Sequence, residues 1–288
     1  MGRLVLALLA VATALVAVSA HAQSQRRVLT PTVLFARGLP ANAVTTFAVS
    51  CRLGYVATSA GVARPAPGTA LLAVTPSGTR SYRFRLGNPA GNGRKRVTVA
   101  VACRKLVPAD GRYRLRLALT KPVAVSMAPH ATAGASLACP SGTVPAGAGA
   151  DLDPGRPRAG GGPRVSIRRE TSTLGRFSFS VLNGTSRARR VALYGSCATL
   201  ARAAGAPLRR LHVEVLTFTV DVSAANQTFA RRCRRGWFAL AAGFSARSRL
   251  TRVDGAVAVG AGGRWTASND ADTPAAVDLQ LTCARLGA

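Results

Sequence analysis

Six cysteines, at positions 51, 103, 139, 197, 233 and 283, are the side chains of this sequence best suited to covalent chemistry. In an exported chain such thiols oxidise to disulfides, and in a reducing compartment they stay free or catalytic. Their intervals are 52, 36, 58, 36 and 50 residues, an alternation of long and short. Six cysteines allow 15 pairings, so their number alone does not choose among them.

Other chemistry is thinly supplied. Hydrolysis needs a nucleophile with a base, or two carboxylates. Past the first segment the histidines are His130 and His212, far apart and without a shared motif. Gly243-Phe244-Ser245-Ala246-Arg247 starts like a nucleophile elbow but lacks its last glycine. The acids number 10, and none recurs at equivalent positions of the repeat described below. Asp151-Leu152-Asp153-Pro154-Gly155 opens like a calcium loop, yet misses the third oxygen ligand and the closing Glu. Asn269, Asp270 and Asp272 read as solvated turn residues. The run Gly155 to Gly162, with Arg156 and Arg158, lacks the Gly-Lys-Ser/Thr ending of a phosphate loop. The expectation is a protein with no catalytic residue, no metal and no cofactor. Were it an enzyme, its site would be unrepeated, and His212 with Glu214 would be the first pair to mutate.

Positive charge is abundant. The net charge is +29, and almost all cations are Arg; the lysines are Lys95, Lys105 and Lys121. Such a balance attracts anionic polymers and surfaces, although a high-GC genome would also enrich Arg, Ala and Gly. Arg94-Lys95-Arg96 and the trio Arg187, Arg189 and Arg190 are the candidate anion-binding residues. Arg231, Arg232, Arg234 and Arg235 surround Cys233. None of these clusters interleaves the aromatics that single-stranded nucleic acid requires, so no specific nucleic-acid recognition is expected.

The cysteines also expose a repeat, which any positioning argument must start from. Cys51, Cys139 and Cys233 each open the pattern C-x2-G-x5-A-G, through Gly54, Gly142 and Gly236 to Gly61, Gly149 and Gly243. Before each remaining cysteine an aromatic precedes an Asn by four residues. The instances are Phe84, Asn88 and Cys103; Phe179, Asn183 and Cys197; and Trp265, Asn269 and Cys283. A weaker Leu-Thr pair recurs at Leu29-Thr30, Leu119-Thr120 and Leu216-Thr217. The copies are residues 23–111, 112–203 and 204–288. If each folds as a unit, the bridges are Cys51–Cys103, Cys139–Cys197 and Cys233–Cys283. Each closed loop would stabilise its copy by about 4 kcal/mol in the chain-entropy view.

Within a copy the signals are those of strands. Tyr82-Arg83-Phe84-Arg85-Leu86 and Phe177-Ser178-Phe179-Ser180-Val181 alternate, as half-buried strands do. Gly87-Asn88-Pro89 and Asn183-Gly184 are turn signals. Alternation resumes from Arg96 to Val101 and from Val277 to Cys283. This predicts that each copy ends in a β-hairpin whose return strand carries the second cysteine. Its tip carries the basic trio in the first two copies, and Asp270, Asp272 and Thr273 replace it in the third. Tyr113–Thr120 and Leu211–Val222 read as longer strands. The aromatic before the Asn is expected in the core. The glycine ten after the first cysteine is expected at a positive φ or a close strand crossing. No segment sustains a helical period. The expected fold is all-β: three tandem antiparallel β-sandwich repeats with one disulfide each. An inter-sheet bridge over such a separation suits an immunoglobulin-like fold, with the strand order left open.

The first residues predict export. Met1-Gly2-Arg3, an apolar run from Leu4 to Ala20, and Ala20-His21-Ala22 have the three parts of a signal peptide, residues 1–22. The mature chain is then expected to be secreted or associated with the cell envelope, and not transmembrane.

Cys139-Pro140-Ser141-Gly142-Thr143-Val144-Pro145-Ala146-Gly147-Ala148-Gly149 resembles a unit found in uncharacterised secreted repeat proteins of actinobacteria. That unit has a Cys-Pro-x-Gly start, a glycine cluster, an aromatic, an Asn turn and a closing Cys. The second copy matches it best, while the first and third lack the Pro and most of the glycines. The resemblance implies an exported β-domain and carries no activity with it.

These readings together predict a non-enzymatic protein of the envelope or extracellular space. Its expected partners are anionic surface polymers, held at the Arg-rich tips. A protein–protein module, adhesin or inhibitor is the alternative of a second class.

Overall fold

In a computed structural model the described residues are 27–89, 93–107, 112–152, 165–204, 210–223, 227–248 and 251–287. Residues 1–22, expected to be a signal peptide, Asp153 and the Gly155 to Gly162 run lie outside them. The described chain is all-β, in antiparallel sheets.

One strand sequence occurs three times. The first stretch contains β1 (Arg27–Leu29), β2 (Thr32–Leu39), β3 (Ala43–Ser50), β4 (Val56–Arg64), β5 (Ala70–Pro76), β6 (Ser81–Asn88) and β7 (Lys95–Val107). The second contains β8 (Tyr113–Leu119), β9 (Val123–Met127), β10 (Thr132–Ala138), β11 (Val144–Leu152), β12 (Val165–Ser172), β13 (Arg176–Asn183) and β14 (Arg189–Arg202). The third contains β15 (Leu211–Val222), β16 (Gln227–Arg232), β17 (Phe238–Ala246), β18 (Thr251–Val259), β19 (Gly262–Asn269) and β20 (Ala275–Leu286). Pro31 and Pro122 interrupt the opening strand of the first two copies, since proline cannot donate to a ladder. The third copy has no proline there, and β15 runs unbroken. The Leu-Thr pairs are not equivalent in this frame: Thr32, Leu119 and Val215 face equivalent partners, Ala102, Ser196 and Thr282.

In every copy the opening strand pairs with the last, and the last pairs with the third. The second strand pairs with the fifth, and the fifth with the fourth. An opening strand beside the closing strand is the winding of a jelly roll reduced to six strands. The immunoglobulin order would set the first strand beside the second. The fifth and sixth strands therefore lie in different sheets, and the hairpin expected at the end of each copy is an arch between sheets. The physical reason is that both strands are amphipathic, and each buries its apolar side against the opposite sheet.

Disulfides Cys51–Cys103, Cys139–Cys197 and Cys233–Cys283 join the two sheets of each copy, with Cα separations of 5.7, 5.8 and 5.8 Å. Three such bridges suit an oxidising compartment. Around them lie three cores, holding the stacked Phe47–Phe84 pair, the Phe177–Phe179 pair and the edge-on Phe218–Trp265 pair. The glycine three residues after each first cysteine has φ of 81°, 75° or 81°, as the third position of a type II turn needs.

The copies are not beads on a string. Ala73 and Val74 of β5 pair with Asp151 and Ala150 of β11, and Arg169 and Glu170 of β12 pair with Ser245 and Phe244 of β17. Sheets thereby run through from one copy to the next. The third copy returns to the first: β18 packs on β4, so the ring closes. The glycines that end C-x2-G-x5-A-G mark the three crossings. A Cβ on Gly149 would collide with Val74 O, one on Gly243 with Glu170 O, and one on Gly61 with Ala256 O. Three equivalent contacts that close on themselves describe a pseudo-threefold rotation.

At the centre β4, β11 and β17 touch one another, and they are buried along most of their length. This explains their Ala- and Gly-rich sequences, because backbones crowd on both sides of each strand. A central apolar cluster draws Val56, Leu115, Leu117, Val144, Ala146, Phe238 and Leu240 from all three copies. The residue after the second cysteine lies here. It is Ala198 and Ala284 in two copies, both in this cluster, and the fully buried Arg104 in the first. Arg104 donates from Nε and Nη2 to Ala239 O (2.8 and 2.6 Å), from Nη2 to Gly260 O (3.1 Å) and from Nη1 to Cys103 O (2.9 Å). Burial pulls its pKa down to about 9, so it remains a cation at neutral pH.

Candidate functional site

Each basic tip is an arch held from inside by the repeated asparagine, which is buried in all three copies. Asn88 donates from Nδ2 to Leu39 O (3.2 Å) and Gly93 O (3.1 Å). Asn183 donates to Ala128 O and Arg187 O (2.8 Å each), and Asn269 to Val222 O (2.9 Å) and Thr273 O (2.7 Å). One amide thus ties the end of the opening strand to the far side of the arch. The Oδ1 atoms complete two of the arches. Asn183 Oδ1 accepts from the backbone N–H of Thr185 (3.0 Å) and from its hydroxyl (2.8 Å), and Asn269 Oδ1 accepts from Ala271 N–H (3.1 Å). A buried amide satisfied in this way is costly to replace. The turn signal in the sequence is therefore a clamp.

The clamp fixes where the cations start. Lys95, Arg189 and Ala275 occupy the same first position of the last strand, opposite Leu39, Met127 and Val222. Arg96, Arg190 and Ala276 follow them. Arg96 and Arg190 are exposed on equivalent sites; Arg94 and Arg187 are also exposed within their arches but do not match, since Arg187 stands where the first copy has Gly93, the acceptor of the clamping amide. Arg94 lays its guanidinium over Gly38, where a side chain would displace it. Lys95 and Arg189 are half-buried, and the Lys95 ammonium donates to Pro67 O in the loop after β4. None of the six cations is in an ion pair among the described residues. Ion pairs elsewhere join Arg85 to Asp151, Arg234 to Glu214 and Arg247 to Asp278.

His130 also joins the second tip, a position the sequence did not suggest. It sits in the turn between β9 and β10 at φ 54°, and its backbone N–H donates to Thr185 O (3.1 Å). The third tip has opposite character. Its arch carries Asp270 and Asp272, and the positions of Arg96 and Arg190 are taken by Ala276.

His212 and Glu214 lie far from the tips, at the other end of the third copy. Glu214 Oε1 accepts from Arg234 Nη2 (3.1 Å), and the imidazole of His212 lies against Gly287. Arg285, opposite His212, stacks on Trp237 at 5.1 Å. Among the described residues no cluster of three or more His, Cys, Asp or Glu could hold a metal ion. No helix there is long and apolar enough to cross a membrane.

No protein-family model and no curated protein matches the chain.

Proposed function

We propose that this is a non-enzymatic protein, exported by its first residues to the envelope or extracellular space, that holds anionic surface polymers at its basic tips. The observation that carries this reading is the recurrence of an exposed, unpaired Arg at one place in two copies, Arg96 and Arg190, with Arg94 and Arg187 exposed in the arches beside them. A rigid scaffold with charged loops is a common way to present a binding surface. Long-range attraction from a net charge of +29 would speed encounter with a polyanion.

Capture on anionic beads tests it. Retention is expected to fall steeply with salt, because exposed charges are screened within about 10 Å at 0.1 M ionic strength. It should also fall when Arg94, Lys95, Arg96, Arg187, Arg189 and Arg190 are changed to Gln. Salt-independent capture, or capture unchanged in that variant, would remove the reading.

A protein–protein module is a second reading, favoured by Leu53 and Leu174. They stand 81% and 65% exposed in loops at the end opposite the tips. Recovery of one stoichiometric partner at high salt would support that reading instead.

A further inference from the structure

The ring geometry makes a sharper statement about what the tips hold, and it rests on the anion-binding reading. Rotation about one axis puts equivalent points at one height, so the three arches stand on a single rim. The sheet shared by the first two copies gives their spacing. Its strand order runs β6, β5, β11, β14. One row across it is Arg85, Ala73, Asp151 and Ala192. Asn88 lies three residues beyond this row on β6, and Arg189 lies three residues beyond it on β14, towards the same edge. Three strand spacings separate the arch that β6 enters from the arch that β14 leaves, about 14 Å. The Arg85–Asp151 ion pair joins the two copies on that row.

The third arch breaks the symmetry in charge alone. Asp270 and Asp272 stand on the rim where the other arches carry Arg and Lys. A flat anionic surface laid on the rim would meet all three arches, and so these carboxylates. A chain-like polyanion can cross the first and second arches and avoid the third.

We infer that the ligand is a linear polyanion bridging the arches of the first two copies, and that an anionic bilayer is disfavoured. Bridging makes the second contact intramolecular, so affinity depends on whether the ligand spans the gap. Polymers too short to reach from Arg96 to Arg190 hold one arch at a time.

The test compares three probes on the intact protein: tripolyphosphate, long-chain polyphosphate and vesicles rich in phosphatidylglycerol. The expected result is that long chains bind at least a hundredfold more tightly than tripolyphosphate. Neutralising either trio alone (Arg94, Lys95 and Arg96, or Arg187, Arg189 and Arg190, each to Gln) should bring the long chain down to the short-chain affinity. Unchanged thermal midpoints would show that these variants fold, and the chain-length comparison needs no variant. Vesicle binding should be weak and should strengthen when Asp270→Asn and Asp272→Asn are combined. Equal affinity per phosphate for short and long chains, or vesicles held as tightly as long chains, would overturn bridging while leaving anion binding in place. Binding to none of the probes would remove the underlying reading itself.

Discussion

Arg104 and Ala239, 135 residues apart, are joined by two hydrogen bonds from one guanidinium to one carbonyl oxygen. This contact runs from the last strand of the first copy to the third strand of the last. It lies at the seam where no through-running ladder links the sheets. Ser59 Oγ accepts from Ala258 N–H (3.3 Å) and Thr32 Oγ1 from Gly260 N–H (3.4 Å) at the same seam. Side chains thus complete a closure that backbone pairing makes at the other two crossings.

Replacing Arg104 with Ala, the residue of the other two copies, should therefore destabilise the protein rather than regularise it. It leaves the carbonyls of Ala239 and Gly260 without their donor and opens a void in a close-packed centre. The expected loss is about 2–4 kcal/mol, read from the denaturant midpoint. A variant as stable as the parent would show that the seam does not depend on this cation.

Glycine at the crossings gives a comparison within one molecule. An Ala at Gly243 would place its Cβ against Glu170 O, a backbone atom that cannot step aside, whereas at Gly134 it would meet Phe179 O at an ordinary 3.5 Å. Gly243→Ala should lower stability by several kcal/mol or prevent folding, and Gly134→Ala should be near neutral. Thermal unfolding of the two proteins side by side checks this, and equal midpoints would contradict the crossing.

The clamp at Asn183 predicts a loss larger than one hydrogen bond. Asn183→Ala removes donors to Ala128 O and Arg187 O and an acceptor for Thr185, for about 2–3 kcal/mol. Asn183→Asp should be at least as harmful near neutral pH, since it turns a carboxylate towards those two carbonyls. Amide hydrogen exchange at Thr185 should accelerate in Asn183→Ala, which lacks its acceptor.

Glu170 supplies a pH dependence. It holds the position of Val74 and Ala256, each opposite the core aromatic of its copy. Burial pushes its carboxyl up from 4.5 to about 7. The folded state then binds a proton between pH 4.5 and 7 that the unfolded state has released. The stability from this group is complete below 4.5 and is lost as pH rises through about 7. The parent should lose midpoint temperature across that window relative to Glu170→Gln. Parallel curves would mean that the carboxyl is not titrating there.

Much of a single copy was legible in the sequence. The alternation at Tyr82–Leu86, Phe177–Val181 and Val277–Cys283 marks strands that β6, β13 and β20 contain. Those strands are amphipathic, so their side chains report the pleat directly. The third strands gave no such signal. Val-Pro-Ala-Gly-Ala-Gly-Ala in β11 has no alternation and no β-branched residue after Val144, because it is buried on both faces against neighbouring copies. The tips were found by charge, but the hairpin assigned to them was an arch. Their turn residues do not record which sheet the next strand joins.

By itself, the sequence determined the repeat, the equivalence of its cysteines and asparagines, and the divergence of charge between copies. These are properties of position along the chain. Only the tertiary structure decided that the last copy packs against the first, that Arg104 lies in that seam, and that the basic arches share one rim. Those relationships depend on contacts between residues of different copies, 66 positions apart for Arg85 and Asp151 and 135 for Arg104 and Ala239. A local pattern of side chains carries no record of such contacts.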